Sequence, residues 1–322
     1  MDTTTPRTEL GRPDAGTPYH HTLRTPSARW WKPVVGILAA VLAYLAASLV
    51  TFMAAIAVDT AIGGHDMTEG VSLTPAMFAA SLVSLILLIP TTWGIVRGVH
   101  GQPWGFTGSV EGLWRWRTAM RALPVTILVF AVYMAAFFWL QPAVQGERSS
   151  DWLAYALVSV LLMPLQAAAE EIFFRGYVLR AAGSWFSAQH VAMIVGTLLS
   201  SLLFMAAHGA GDLWLNIYYF MFGVTLSLAA RYSGGLEVPV LVHATNNVVS
   251  GVVGAYFTDM KDAFDRSAGV GGPFMLIQIA FIAVVAYALV RWMRHRGTAT
   301  LVPAEVGREI PAPGGAAVGA LG

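Results

Sequence analysis

Apolar residues fill this chain in long unbroken runs, and polar residues gather in the short stretches between them. A helix needs roughly 20 apolar residues to cross about 30 Å of hydrocarbon. Eight runs approach that length, at 33–57, 75–96, 122–140, 152–174, 188–207, 213–230, 236–257 and 273–292. Trp30, Trp31, Trp139, Trp152 and Trp292 stand at run ends, where amphipathic rings favour the membrane interface. The pattern predicts an all-α, polytopic membrane helix bundle of about eight transmembrane helices. The polar, Pro- and Thr-rich residues 1–29 and the last residues, 298–322, are expected to be disordered cytoplasmic tails around a bundle at 30–297. The first run is too long for a signal-peptide core and lacks a small-residue cleavage site, so it is expected to be retained.

Composition supports this reading. Of 322 residues, 56% are hydrophobic and only 11% charged, against about 25% charged in soluble domains. A net charge of +1 gives no reason to expect nucleic acid as a partner. The absence of cysteine removes disulfides, thiolate metal sites and thiol nucleophiles. Lysine occurs only at Lys32 and Lys261, and this preference for arginine hints at a GC-rich bacterial genome, hence a bacterial plasma membrane.

The cations set an orientation. Arg24, Arg29 and Lys32 precede the first run, and Arg97, Arg115, Arg117 and Arg121 follow the second. Arg175 and Arg180 follow the fourth, Arg231 the sixth, and Arg291, Arg294 and Arg296 the last. The intervening loops are acidic or nearly free of cations: 58–74 has none, 141–151 only Arg148, 208–212 none, and the loop after the seventh run is Asp-rich. By the positive-inside rule both termini are expected in the cytoplasm.

Most polarity within the runs falls between Glu170 and Asn247. A charge near mid-bilayer costs about 2.5–3.5 kcal/mol even on lenient scales, so each needs a partner or a task. Glu171 and Arg175 stand at i, i+4 and can pair, which leaves the adjacent Glu170 unneutralised. Phe204 and His208 repeat that spacing, as do His243 and Asn247. The bland readings are a structural ion pair, packing histidines, Asn247 as inter-helix glue and Phe204 as packing. Two histidines and an unpaired glutamate on three separate helices suggest more. A desolvated glutamate can act as general base on water, a histidine can share its proton, and a second histidine and an amide can stabilise an oxyanion. The set Glu170, His208 and His243 also suits zinc, so the residues alone leave the metal open. No H-E-x-x-H occurs. The G-x-G-D string within "HGAGD" lacks the second intramembrane aspartate that an aspartyl protease needs, and no serine sits in a G-x-S-G context.

The ordered trio "EEIFFR", "FMAAH" and "HATNN", with "SGGLEVPVLVHATNN" leading into the third, resembles the CPBP family of CAAX prenyl endopeptidases and bacteriocin-processing membrane proteins. The family pattern is E-E-x-x-x-R, F-x-x-x-H and H-x-x-x-N on successive helices. The resemblance covers roughly residues 164–251 and implies a protease core at about 150–257. It implies Glu170 as the water-activating base, His208 as its partner, and His243 and Asn247 as the oxyanion pair, with Glu171 and Arg175 supportive. It also implies a metal-free glutamate mechanism, with zinc the alternative. The expected substrate is a membrane-associated protein or peptide in the lipid bilayer, cut near the cytoplasmic side. The competing readings are a transporter or proton relay using the same groups, and a catalytically silent immunity or scaffold protein. One expectation strains the assignment. With Arg180 at the membrane surface, Glu170 lies about 15 Å below it and His208, counted from Ala188, about 30 Å down.

Overall fold

In a computed structural model of the chain, the structure describes residues 11–62, 73–140, 146 and 148–308. Eight helices are long and apolar enough to span a membrane: α1 (Trp31–Ala61), α2 (Pro75–Gly98), α3 (Trp116–Leu140), α4 (Trp152–Gly183), α5 (Gln189–Ala207), α6 (Leu213–Ser233), α7 (Glu237–Phe257) and α8 (Met275–His295). No named strand occurs among the described residues, so the chain is an all-helical, multi-pass membrane protein. Outward leucines on α1, Leu38, Leu42, Leu45 and Leu49, form one exposed stripe, as lipid contact requires.

Two helices are locally broken. In α2 the turn at Leu87 separates Pro75–Ile86 from Leu88–Gly98, because Pro90 offers no N–H and its ring excludes the Ile86 carbonyl. In α4 the regular helix widens at Phe174–Val178 into a π turn before resuming at Leu179–Gly183. Such bulges often mark functional sites, and this one follows directly on the two glutamates.

Small residues bring the central helices close. A Cβ on Gly196 of α5 would lie 2.6 Å from the Leu179 carbonyl oxygen of α4. One on Gly251 of α7 would lie 2.7 Å from Ser159 Oγ. Lipid tails supply no hydrophobic drive between helices, so close backbone approach is what packs them. The Ser200 hydroxyl of α5 donates to the Phe174 carbonyl at 2.8 Å, which fixes the antiparallel register of α4 and α5.

At the end of the bundle that carries both described chain ends, the loops form a packed layer, and here the expected free tails are corrected. Tyr19, His20, His21, Thr22 and Leu23 are all buried, and so is Val302. Gly16 N–H donates to Val302 O and Val302 N–H to Thr17 O, at 2.8 and 2.9 Å. Arg308 pairs with Asp14 at 2.7 Å. Composition reads these stretches as solvated, but their polar groups find backbone partners in neighbouring loops. The remainder of the expected tails, 1–10 and 309–322, lies outside the described residues. Arg115 anchors the layer: its guanidinium grips both oxygens of Glu237 at 2.9 and 2.6 Å and reaches the Ala299 and Ser233 carbonyls. Gly234, at φ +74°, ends α6 in the left-handed region, and a Cβ there would meet Ala299 O at 2.3 Å.

Arg180 is part of this layer rather than a surface marker. It is 0% exposed and donates to Thr22 Oγ1, the Gly176 carbonyl and Gln102 Oε1. Depths counted from it as the surface therefore place the site too near that end.

The layer contains a pH-sensitive dock. His20 Nε2 donates to Gln189 O and His21 Nε2 to Phe186 O. Burial, with Arg231 and Arg24 nearby, depresses both imidazoles, His20 from 6.5 to about 4. A base depressed in the docked state binds its proton first when released, so docking is strongest above pH 6.5 and weakens as pH falls toward 4. Hydrogen exchange of residues 11–28, corrected for intrinsic pH dependence, is expected to accelerate between pH 7.5 and 5 while α4 stays protected. Unchanged protection of 11–28 across that window defeats the assignment.

Candidate functional site

The site begins with the two glutamates late in α4. Glu171 is fully buried, and its Oε1 lies 2.7 Å from Arg175 Nη1 and 2.7 Å from His243 Nδ1. A carboxylate only accepts, so His243 carries its proton on Nδ1 and presents Nε2 as the free face. That Nε2 lies 3.6 Å from Glu170 Oε2. Glu171 thus does two things: it neutralises Arg175, and it orients the histidine that faces its neighbour. Reading the motif as an i, i+4 pair anticipates the first role and misses the second.

Glu170 has no such partner. It is 6% exposed, and its Oε2 accepts no hydrogen bond. It lines a cavity of about 670 Å³ together with His208, His243, Asn247 and Phe204. Glu171 and Arg175 stand behind the wall, outside it. Phe204 is more than filler: its ring lies 4.5 Å under the Arg175 guanidinium and contacts both histidine rings, at 4.6 Å for His208 and 5.9 Å for His243. A desolvated cation over a ring face gains up to about 2 kcal/mol, which suits Arg175 Nε and Nη2, left without hydrogen-bond partners.

His208 follows α5 as its C-terminal cap. Its Nδ1 donates to the Phe204 carbonyl at 2.8 Å, and its ring stacks 3.8 Å from Tyr219. The register of α4 and α5 sets Gly196 against Leu179 and Ser200 against Phe174, so His208 comes one turn beyond the level of Glu170. Helical side chains lean toward their own N-terminus. In antiparallel helices those leans oppose, so Glu170 and His208 converge across the offset. This resolves the expected mismatch of depth.

Asn247 belongs to an amide chain. Its Nδ2 donates to Gln166 Oε1 at 3.1 Å, and its Oδ1 accepts from Asn246 Nδ2 at 3.1 Å. One Asn247 N–H is committed to Gln166, leaving the second for a ligand. Gln166, Asn246 and Tyr219 all line the cavity and were missed from the sequence. Gln166 carried a usable signal, since it stands one turn before Glu170 on the same face.

Other expectations resolve here. Among the described residues no three His, Asp or Glu side chains converge as metal ligands. Glu170, His208 and His243 line one cavity, with His243 Nε2 3.6 Å from Glu170 Oε2. Asp212 of "HGAGD" caps α6: its carboxylate accepts from Leu215 and Gly269 N–H at 2.9 Å each, which holds its pKa below the ordinary value. The cavity is bounded toward the chain-end layer by Arg175, Tyr177, Leu226 and Val242, all 0% exposed. Its opposite wall includes Met260, Phe264 and Arg266 of the loop after α7.

Comparisons with known proteins agree with the motif pattern. Residues 149–249 match the family model described as Type II CAAX prenyl endopeptidase Rce1-like, so this part of the chain carries an Rce1-like domain. The chain is 26% identical over 189 residues to the uncharacterized protein YyaK of Bacillus subtilis, covering 57% of this chain and 63% of that one. It is 37% identical over 97 residues to an uncharacterized 24.3 kDa protein of Escherichia coli, covering 29% of this chain and 41% of that one. The chain thus spans less than two thirds of either relative. No solved structure matches.

The two glutamates are expected to differ in stability. Glu171→Gln leaves Arg175 buried without its counter-charge, and breaking a buried pair costs about 3–5 kcal/mol. Glu170→Gln breaks no hydrogen bond and is expected to stay within about 1 kcal/mol. Thermal unfolding of both variants in detergent compares them, and equal losses contradict this division.

Proposed function

We propose that the chain is an intramembrane endopeptidase of the CAAX-protease type, which hydrolyses a peptide bond of a membrane-associated protein or peptide with water activated by Glu170. The observation that carries this reading is one arrangement: an unpartnered carboxylate oxygen 3.6 Å from His243 Nε2, with that histidine fixed by Glu171, inside a cavity shared with His208 and Asn247. The Rce1-like match over these residues supports it.

In this mechanism Glu170 takes a proton from water as the oxygen attacks the carbonyl carbon. His243, beside it, shares that proton, and Glu171 stabilises the imidazolium that forms. The oxyanion is met by the free Asn247 N–H, while His208, whose Nδ1 proton is held by the Phe204 carbonyl, presents Nε2 as an acceptor for the attacking water. The proton then passes to the departing amide nitrogen as the C–N bond breaks, giving a carboxylic acid and an amine. The proposed reaction needs no metal. Proton transfer by a positioned side chain is worth about 10²–10⁴-fold, so Glu170→Ala is expected to lose at least that much activity.

Both termini are proposed to be cytoplasmic and the setting a bacterial plasma membrane, on the distribution of arginine.

Terminal-peptide proteomics on membranes holding the unsubstituted protein or Glu170→Ala, at equal expression, tests the reading. Termini that vanish in the variant identify the substrate, and repetition with purified protein and a strong chelator is expected to leave the cut intact. No Glu170-dependent terminus rejects the endopeptidase. Loss on chelation, restored by zinc, rejects the metal-free mechanism.

A further inference from the structure

A row of uncharged polar side chains crosses the cavity wall: Gln166 of α4, Asn247 and Asn246 of α7, Tyr218 of α6 and Gln278 of α8. Asn247 Nδ2 donates to Gln166 Oε1 and Asn246 Nδ2 donates to Asn247 Oδ1, each at 3.1 Å. The Asn246 side chain also hydrogen-bonds the Tyr218 hydroxyl, whose oxygen accepts from Gln278 Nε2 at 3.4 Å. One line of hydrogen bonds therefore ties α4, α7, α6 and α8 together beside Glu170.

The row decides how Asn247 can act. A carboxamide has an oxygen face and an N–H face of similar size, and only the N–H face suits a site that develops negative charge. The terminal torsion of asparagine is soft and roughly two-fold, so an amide without partners turns over readily. Asn247 has partners on both faces. Turned over, it would set its oxygen against the Gln166 oxygen and its nitrogen against the Asn246 nitrogen, and both bonds would be lost. The reverse order needs all three amides to turn together. A nearby charge opposes that as well. Gln166 stands one turn before Glu170. With its oxygen spent on Asn247, it leaves its N–H groups for the cavity it shares with that carboxylate. Reversed, it would turn its oxygen toward the anion.

We propose that Gln166 and Tyr218 are positioning residues for Asn247. Gln166 fixes which face of the amide enters the cavity. Tyr218 holds Asn246, the group that locks the opposite face. The orientation of Asn247 stands on the hydrogen bonds alone; its use for an oxyanion rests on the hydrolytic reading above.

The chain makes this orientation directly readable, because Asn216, Asn246 and Asn247 are its three asparagines. Isotope-labelled asparagine, incorporated into the full chain in lipid nanodiscs, gives one side-chain amide signal pair for each in a magnetic resonance spectrum. Asn246→Ala and Asn247→Ala assign two of the pairs. Asn216 donates to the Ala210 carbonyl at 2.9 Å, outside the row, and reports on the fold. Gln166→Met keeps the length of the side chain and removes its amide. It is expected to move the Asn247 pair and leave Asn216 in place. Tyr218→Phe is expected to move Asn246 most and Asn247 less. An Asn247 pair unmoved by Gln166→Met overturns the proposal. Equal movement of Asn216 also overturns it, because that marks a general loosening of the bundle. Kinetics on the substrate revealed by Glu170-dependent termini supply the second readout. Loss of one oxyanion donor costs about 10²–10³-fold in kcat, so Gln166→Met is expected to lose at least about 10-fold in kcat with KM little changed. A change confined to KM overturns the role of Gln166. If no terminus depends on Glu170, hydrolysis is rejected, while the amide signals still decide what holds Asn247.

Discussion

One carboxylate oxygen, Glu171 Oε1, joins the parts of this molecule that matter. It accepts from Arg175 one turn along its own helix and from His243 on α7, each at 2.7 Å. Taking three such groups out of water costs several kcal/mol for each ion, and only mutual pairing offsets it. The pairing also dictates geometry. It fixes the tautomer of His243, aims Nε2 at Glu170, and seats the Arg175 guanidinium over Phe204, the ring both histidines touch. The π turn begins where this group ends, at Phe174, and it carries Arg175.

From this junction the molecule divides into two halves of different character. Toward the chain ends every layer is filled: Tyr177, Leu226 and Val242 are fully buried, and the loops beyond them exchange hydrogen bonds with residues 11–28 and 297–308. Away from the chain ends the helices enclose the cavity, lined by Tyr44 of α1, Phe78 of α2 and Tyr218 of α6. Rigidity on one side supplies the positional accuracy that a site on the other side requires. The opposed lean of side chains on antiparallel helices then brings Glu170 and His208 to one level despite a one-turn offset.

Legibility in the sequence followed interaction range. The eight spans are readable because transfer into hydrocarbon depends on local composition alone. Glu171 with Arg175 is readable because i, i+4 neighbours need no tertiary information. The contact of Glu171 with His243 is not, since 72 residues separate them and only the packing of α4 on α7 closes the gap. Gln166 and Asn246 were passed over for a similar reason: a single amide in an apolar run gains meaning only from the amide opposite it. The segment around Tyr19 to Leu23 misled because disorder was inferred from apolar content, whereas this segment is held largely by polar side chains on loop carbonyls. Depth counted from Arg180 misleads, because this cation is not at a surface but enclosed by Thr22, Gln102 and Gly176.

These cases share a physical criterion for sorting polar groups in a bilayer. Arg115, Glu237, Arg180 and Glu171 are all charged and deeply buried, and each meets partners that answer its charge or its donors. Their cost is met within the fold, so they shape and support the site rather than react in it. Glu170 differs. It borders the cavity, its Oε2 accepts no hydrogen bond, and the histidine it faces is already held by Glu171. A group left in that state adds little to folding that an apolar residue could not, and it stays poised for a ligand that brings the missing counterpart. Position in the sequence does not separate these classes, since Glu170 and Glu171 are adjacent and identical. The saturation of their partners does, and that depends on which helices the rest of the chain packs beside them.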